Sequence, residues 1–270
     1  MSNRKLEILQ RQKKLESMLV NKLTHESSPI NFRNAYDQIH EFFLRYGNPA
    51  TGNHPGFIYR KKINYIDRLF LRTIGKGNMI LEIGCGNGIF SKKLSQENNS
   101  VIALDISNIA LRIAKKNKTI STKMELFNGD ARNLIFKDKS FDVVISSDLI
   151  EHLPQGDIAN HFFEVYRILK KNGYYIFWTP HVLYGPTSLG LHFKEYTLSE
   201  IYKILEKQNF IAYVLLPHFI LAGLIIKIGI RRVISYEKLI TNYKFFKLFK
   251  SDMIKKLFIP PICIIAYKKS

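Results

Sequence analysis

The 270-residue chain has little cysteine: Cys85 and Cys263 are its only thiols, far apart in sequence, and there is a single tryptophan. Two such residues supply neither a disulfide framework nor the ligand set of a zinc site, so a reducing compartment is expected. Acidic residues are also scarce, with 22 Asp and Glu against 41 Lys and Arg, a formal net charge of +19. That excess would attract phosphate backbones, anionic membrane surfaces or acidic substrates. The abundance of Lys, Asn and Ile is equally what a skewed genomic base composition produces, so charge alone selects no partner.

Long apolar runs are missing too. Phe210 to Ile226 is seventeen residues without a formal charge, but Pro217 and His218 interrupt it and it falls just short of a bilayer span. Its first part is needed as a strand, and a true span would dismantle the fold. The N-terminal MSNRKLEILQRQKKLESMLVNKL has no apolar core and no small-residue cleavage site, so no secretory signal is read and a cytoplasmic protein is expected.

What is present is a core. Apolar residues make up 46% of the chain and aromatics 13%, which excludes wholesale disorder, and the length suits one α/β domain with additions. Leu6, Leu9, Leu15, Leu19 and Leu23 recur near a helical period, a second helix is read over 31–46, and a third over 56–73. β-rich runs at 78–83, 100–105, 122–128, 140–146 and 173–179 then alternate with helical patterns at 87–98, 107–118 and 157–171. Such alternation predicts a parallel sheet covered by helices, and near-continuous apolar strands such as VIAL and VVIS fit burial on both faces. Thr197 and Glu200 have capping-box spacing at the start of a further helix, followed by strands in NFIAYVLLP and IPPICIIAYKK.

The segment ILEIGCGNGIF places a carboxylate, Glu82, and then Gly84, Gly86 and Gly88 directly after the first strand. Glycines at the carboxyl end of a strand let the chain turn sharply and let a ligand approach bare backbone. A dinucleotide fingerprint would need a third glycine at position 89, which is Ile89, and no Lys with Ser or Thr follows to make a nucleotide P-loop. An acid before the loop suits a ligand carrying positive charge.

At these residues, and from about 60 to 215, the chain resembles the class I S-adenosylmethionine-dependent methyltransferases. The resemblance implies a Rossmann-like three-layer α/β sandwich whose seven-stranded, mostly parallel sheet ends in an antiparallel pair. It implies S-adenosylmethionine as cofactor. Asp105, closing the second strand in VIALDIS, would take the ribose hydroxyls. Asp130 in FNGDARNL would take the adenine amino group, with the Ala131 backbone against the ring. Glu82, Gly84, Cys85, Gly86, Gly88, Ile106 and Ser147 complete the cofactor set. The expected divisions are an N-terminal helical extension over 1–55, the methyltransferase core over 56–216, a basic apolar helical insertion or lid over 217–258, and a last core strand over 259–270.

The acceptor is read from the end of the fourth strand and from the loop after the fifth. Ser147, Asp148, Leu149 and Ile150 stand where methyltransferases of adenine or glutamine amides carry an Asn/Asp-Pro-Pro-Tyr/Phe run, and there is no Pro-Cys pair for attack on cytosine. A hydroxyl acceptor needs a general base, and His152 and His192 are the two candidates, with His181 and Tyr184 as pocket residues. Asp142, Asp148 and Asp157 form no evident cluster, so no metal is expected. The expected activity is O-methylation of a small molecule or of a lipid- or sugar-linked intermediate. RNA methylation and a non-catalytic scaffold are the alternatives. Over His218 to Lys256, nine basic residues and two acids interleave with apolar ones. This pattern fits either a helical lid or a peripheral contact with an anionic membrane.

Overall fold

The computed structural model describes residues 3–46, 67–116, 122–180, 191–217, 225–229 and 262–269. They fall into two compact units, one of residues 1–131 with 188–192, the other of 132–187 with 193–270.

The first unit holds β1 (Met79–Ile83), β2 (Ser100–Asp105) and β3 (Met124–Asn128), in the order β3-β2-β1 with both pairings parallel. Ile80, Leu81, Ile83, Val101, Ala103 and Leu104 are buried, as double-faced coverage requires. Its helices are α1 (Asn3–His25), α2 (Pro29–Tyr46), α3 (67–74), α4 (Ile89–Gln96) and α5 (Asn108–Lys116). α4 and α5 connect successive strands and pack on β2 and β3, while α2 packs on α1 and on α5. Leu19 and Leu23 of α1 and Phe32, Ala35 and Ile39 of α2 are buried. These spacings put the apolar side chains on one face of each helix.

The second unit holds β4 (Phe141–Ser147), β5 (Leu169–Thr179), β6 (Phe210–Pro217), β7 (Ile225–Gly229) and β8 (Ile262–Lys268), in the order β4-β5-β8-β6-β7. β4 and β5 are parallel, and the remaining pairings are antiparallel. α6 (Ile158–Ile168) packs on β5 and α7 (Leu198–Lys207) on β6. The capping box at α7 is formed: Thr197 Oγ1 accepts from the Glu200 N–H at 3.2 Å, and Glu200 Oε2 accepts from the Thr197 N–H at 2.9 Å.

All seven expected strands are present, and two local expectations are corrected. The helix read to residue 171 ends at Ile168, and β5 begins at Leu169. Phe141 pairs with Leu169 but Val143 pairs with Tyr174, so β5 carries a bulge, with Asn172 at φ 64 inside it. Ile225–Gly229, expected within a helical insertion, is an eighth strand paired with β6. Its Ile-Ile-Lys-Ile sequence is β-branched and suits a pleated surface. The rest of that insertion and the first part of the 56–73 helix lie outside the described residues. Among the described residues no helix is long and apolar enough to cross a membrane.

Candidate active site

In the first unit the chain leaves β1 through a turn laid over the end of β2, where the Leu104 carbonyl accepts from the N–H groups of Gly84 (2.8 Å) and Cys85 (3.0 Å). Gly86 and Gly88 both take positive φ, 54° and 72°, which a side chain would resist, and Gly88 opens α4 in the left-handed region. A Cβ added at Gly86 would meet no atom within 4 Å, so this stretch of backbone faces open space rather than packed protein. That is the property a ligand-approach loop needs.

Two buried carboxyls flank the turn. Glu82 Oε2 accepts from Ser91 Oγ in the first turn of α4. Burial pushes the Glu82 carboxyl up to about 8, with Asp67 and Asp105 adding to the rise and Ser91 opposing it. Asp105 Oδ2 accepts from the Gly86 N–H at 2.8 Å, and its Oδ1 accepts from the Ser107 N–H at 2.8 Å. Each Asp105 oxygen therefore has acceptor capacity left for a further donor. Burial raises this carboxyl as well, with Asp37 adding to the rise, while His40 and the two N–H groups oppose it.

Asn128 secures the neighbouring strand ends, donating to the carbonyls of Asp105 (3.1 Å) and Ile106 (2.9 Å), and the Gly129 N–H donates to Asp105 O at 3.1 Å. Asp130 and Ala131 follow directly, Asp130 partly exposed and Ala131 buried. Glu82, the three glycines, Asp105, Ile106, Asp130 and Ala131 thus share the strand-end region of one unit. Cys85 differs: its side chain is buried with Ala103 and Met124, so only its backbone belongs to the turn.

Ser147 and His152 belong to the second unit, on the segment leaving β4. Ser147 is exposed, and Asp148 follows it at φ 50. Next comes Glu151, fully buried, with Oε2 accepting from Thr179 Oγ1 at 2.9 Å and Oε1 without a hydrogen-bond partner among the described residues. His152 Nε2 lies 3.9 Å from that Oε1. Burial, reinforced by Asp148, drives the Glu151 carboxyl well above the ordinary carboxylate range. The N–H groups of Phe193 (2.8 Å) and Lys194 (3.3 Å) both donate to the Glu151 carbonyl, fastening the approach to α7 over this residue. His192 immediately precedes Phe193 in the chain. Tyr196, buried and with no partner for its hydroxyl among the described residues, is pushed up to about 12 by burial and by Glu200 and Glu151. His181 and Tyr184 lie outside the described residues.

Sequence reasoning passed over Glu151 and Tyr196 because it weighed only the aspartates for metal binding and only histidines as bases. The adjacent Glu151 and His152 are both metal-competent donors, and an orphaned buried acceptor beside an imidazole is the signal that geometry adds. Asp37, which joins the strand-end network from α2, was missed as well, since 70 residues separate it from Ser107.

Residues 81–177 match the family model described as a methyltransferase domain. Over 117 residues the chain is 29% identical to the mitochondrial ubiquinone biosynthesis O-methyltransferase of Schizosaccharomyces pombe, covering 42% of each chain. It is 29% identical over 104 residues to the fatty-acid O-methyltransferase of Mycolicibacterium smegmatis, covering 38% of this chain and 37% of that one. The chain thus spans under half the length of these two curated relatives. Among solved structures, the PH0226 protein of Pyrococcus horikoshii is similar with a TM-score of 0.54 and 26% identity, over 64% of this chain and 90% of that one. With its glycine turn between two strand-end carboxyls, residues 81–177 carry a methyltransferase domain, on a Rossmann-like fold.

Proposed function

We propose that this chain transfers a methyl group from S-adenosylmethionine to an oxygen of a small, lipid-linked acceptor. The observation that carries the reading is Asp105, a buried carboxylate whose two oxygens are each held by one backbone N–H beside a turn open at Gly86. Such a group receives paired ribose hydroxyls. Glu82 suits the positive charge of the cofactor, and Asp130 and Ala131 are assigned to its adenine. When bound, the cofactor supplies an electrophilic methyl on a sulfonium.

The chain contributes alignment and proton handling. Displacement at a methyl gains most of its acceleration from holding the nucleophile close and in line. The acceptor hydroxyl must also lose its proton, and His152 or His192 takes it. Glu151 lies 3.9 Å from His152, and burial disfavours its charged form. The oxygen-directed and lipid-linked parts of the reading draw on the names of the relatives, two of which specify O-methylation and one a fatty acid.

The test begins with calorimetric binding of S-adenosylhomocysteine. Incubation with methyl-labelled cofactor and fractionated lipid, glycan and RNA extracts follows. Label in an organic-soluble product supports the proposal, label in RNA replaces the acceptor class, and absence of cofactor binding removes the enzyme reading.

A further inference from the structure

We propose that α2, which lies outside the matched methyltransferase segment, is a working part of the cofactor site, with Asp37 as the positioning residue for Asp105. The inference rests on the reading of Asp105 as the ribose acceptor.

Asp37 Oδ1 accepts two bonds from the start of α5, from Ser107 Oγ at 2.6 Å and from the Ile109 N–H at 3.0 Å. The Ser107 hydroxyl in turn accepts from the Ala110 N–H at 3.1 Å. The first turn of α5 therefore has its orphan N–H groups satisfied in two ways, by its own N-cap serine and by a carboxylate from a distant helix. Anions are favoured at a helix N-terminus, so the Asp37 charge belongs there.

The consequence reaches the ribose acid through one residue. Ser107 is fully buried, its side chain tied to Asp37 and its N–H to Asp105 Oδ1. Asp105 Oδ2 is held by Gly86, so the free acceptor directions of both oxygens are set by two backbone donors. One of those donors is fixed by the glycine turn and the other by α2. Removing Asp37 frees the Ser107 hydroxyl and leaves the Ile109 N–H unsatisfied. Asn128 still holds the carbonyls of Asp105 and Ile106, but the Ser107 end of the loop loses its side-chain anchor, and with it the orientation of Oδ1. Phe32, Ala35 and Ile39 keep α2 seated from the same helix, so the anchor is rigid.

The experiment measures binding of S-adenosylhomocysteine and of its 2′-deoxy analogue to the full chain, in wild type, Asp37→Ala and Asp37→Asn. In wild type the deoxy analogue binds weaker on the order of tenfold, the loss expected when a buried acceptor goes unpaired. In Asp37→Ala the ribose compound weakens by about tenfold and the ratio between the two ligands falls toward one. Asp37→Asn retains an Oδ1 acceptor and keeps the wild-type ratio to within about threefold. A ratio unchanged in Asp37→Ala overturns the proposal even if that variant melts earlier, because both ligands then sample the same folded fraction. Failure of wild type to bind either ligand is a different outcome: it removes the cofactor reading itself.

Discussion

Ser91, in the first turn of α4, donates its hydroxyl to Glu82 at the end of β1, and both side chains are buried. Because burial raises Glu82 to about 8, the free protein carries it as a neutral acid at pH 7. A cationic ligand favours the ionised form, so cofactor binding near pH 7 is expected to release a proton. Titration calorimetry in buffers of different ionisation enthalpy reads that proton directly. Glu82→Gln should abolish the release, and buffer-independent enthalpies in wild type would refute the linkage.

The same group sets a pH dependence of stability. Its folded value lies above the ordinary glutamate value of 4.5, so its stabilising share is complete below 4.5 and is lost as pH rises through about 8. Relative to Glu82→Gln, wild type should therefore lose melting temperature steadily between about pH 5 and 9. Parallel melting curves across that range would show the carboxyl is not buried in solution.

Asp105→Ala is expected to abolish measurable cofactor binding while leaving the sheet intact. The substitution removes the partner of two N–H groups, at Gly86 and Ser107, so a stability loss of about 1–3 kcal/mol accompanies it. Calorimetry and chemical denaturation on the same preparation separate the two effects.

Much of the fold in both units is legible in letters. The acid-and-glycine run and Asp105 announce themselves by spacing from a strand end, and Thr197 with Glu200 announces a helix start. These are local rules, satisfied within a few residues. The bulge after Leu169 is not, because Asn172-Gly173 reads as the break between helix and strand, and only the pairing of Leu169 with Phe141 of β4 places the strand start before it. Likewise Ile225–Gly229 reads as apolar and basic, and its strand character comes from the partner it finds in β6. Asp37 is a plain helix-surface aspartate until α5 is folded against it.

His152→Ala and His192→Ala separate the candidate bases. The variant lacking the true base should lose methyl transfer by about 10²-fold or more at neutral pH, with cofactor affinity retained and the acidic limb of the pH–rate profile gone. Both variants retaining wild-type rates would assign proton removal elsewhere.

In the second unit Arg167 ties the loop before β4 to α6. Its guanidinium donates to the carbonyls of Leu134 (2.6 Å) and Phe136 (2.7 Å) and to the carboxylates of Glu164 (2.8 Å) and Asp138 (2.8 Å). Arg167→Ala should cost about 2–4 kcal/mol, measured by urea denaturation, since it strands a part-buried carboxylate and two carbonyls at once. Asp138→Ala, removing only an exposed partner, should cost under about 1 kcal/mol.

The two thiols are distributed one to each unit, Cys85 beneath the glycine turn and Cys263 in β8, and both are buried and held protonated by that burial. A folded molecule should thus ignore alkylating reagents, and any modification must wait for a local opening event. Timed labelling followed by peptide mass spectrometry would give two separate opening rates from the unaltered polypeptide, one for each half of the molecule. Ligand added to the first half should slow only the Cys85 clock.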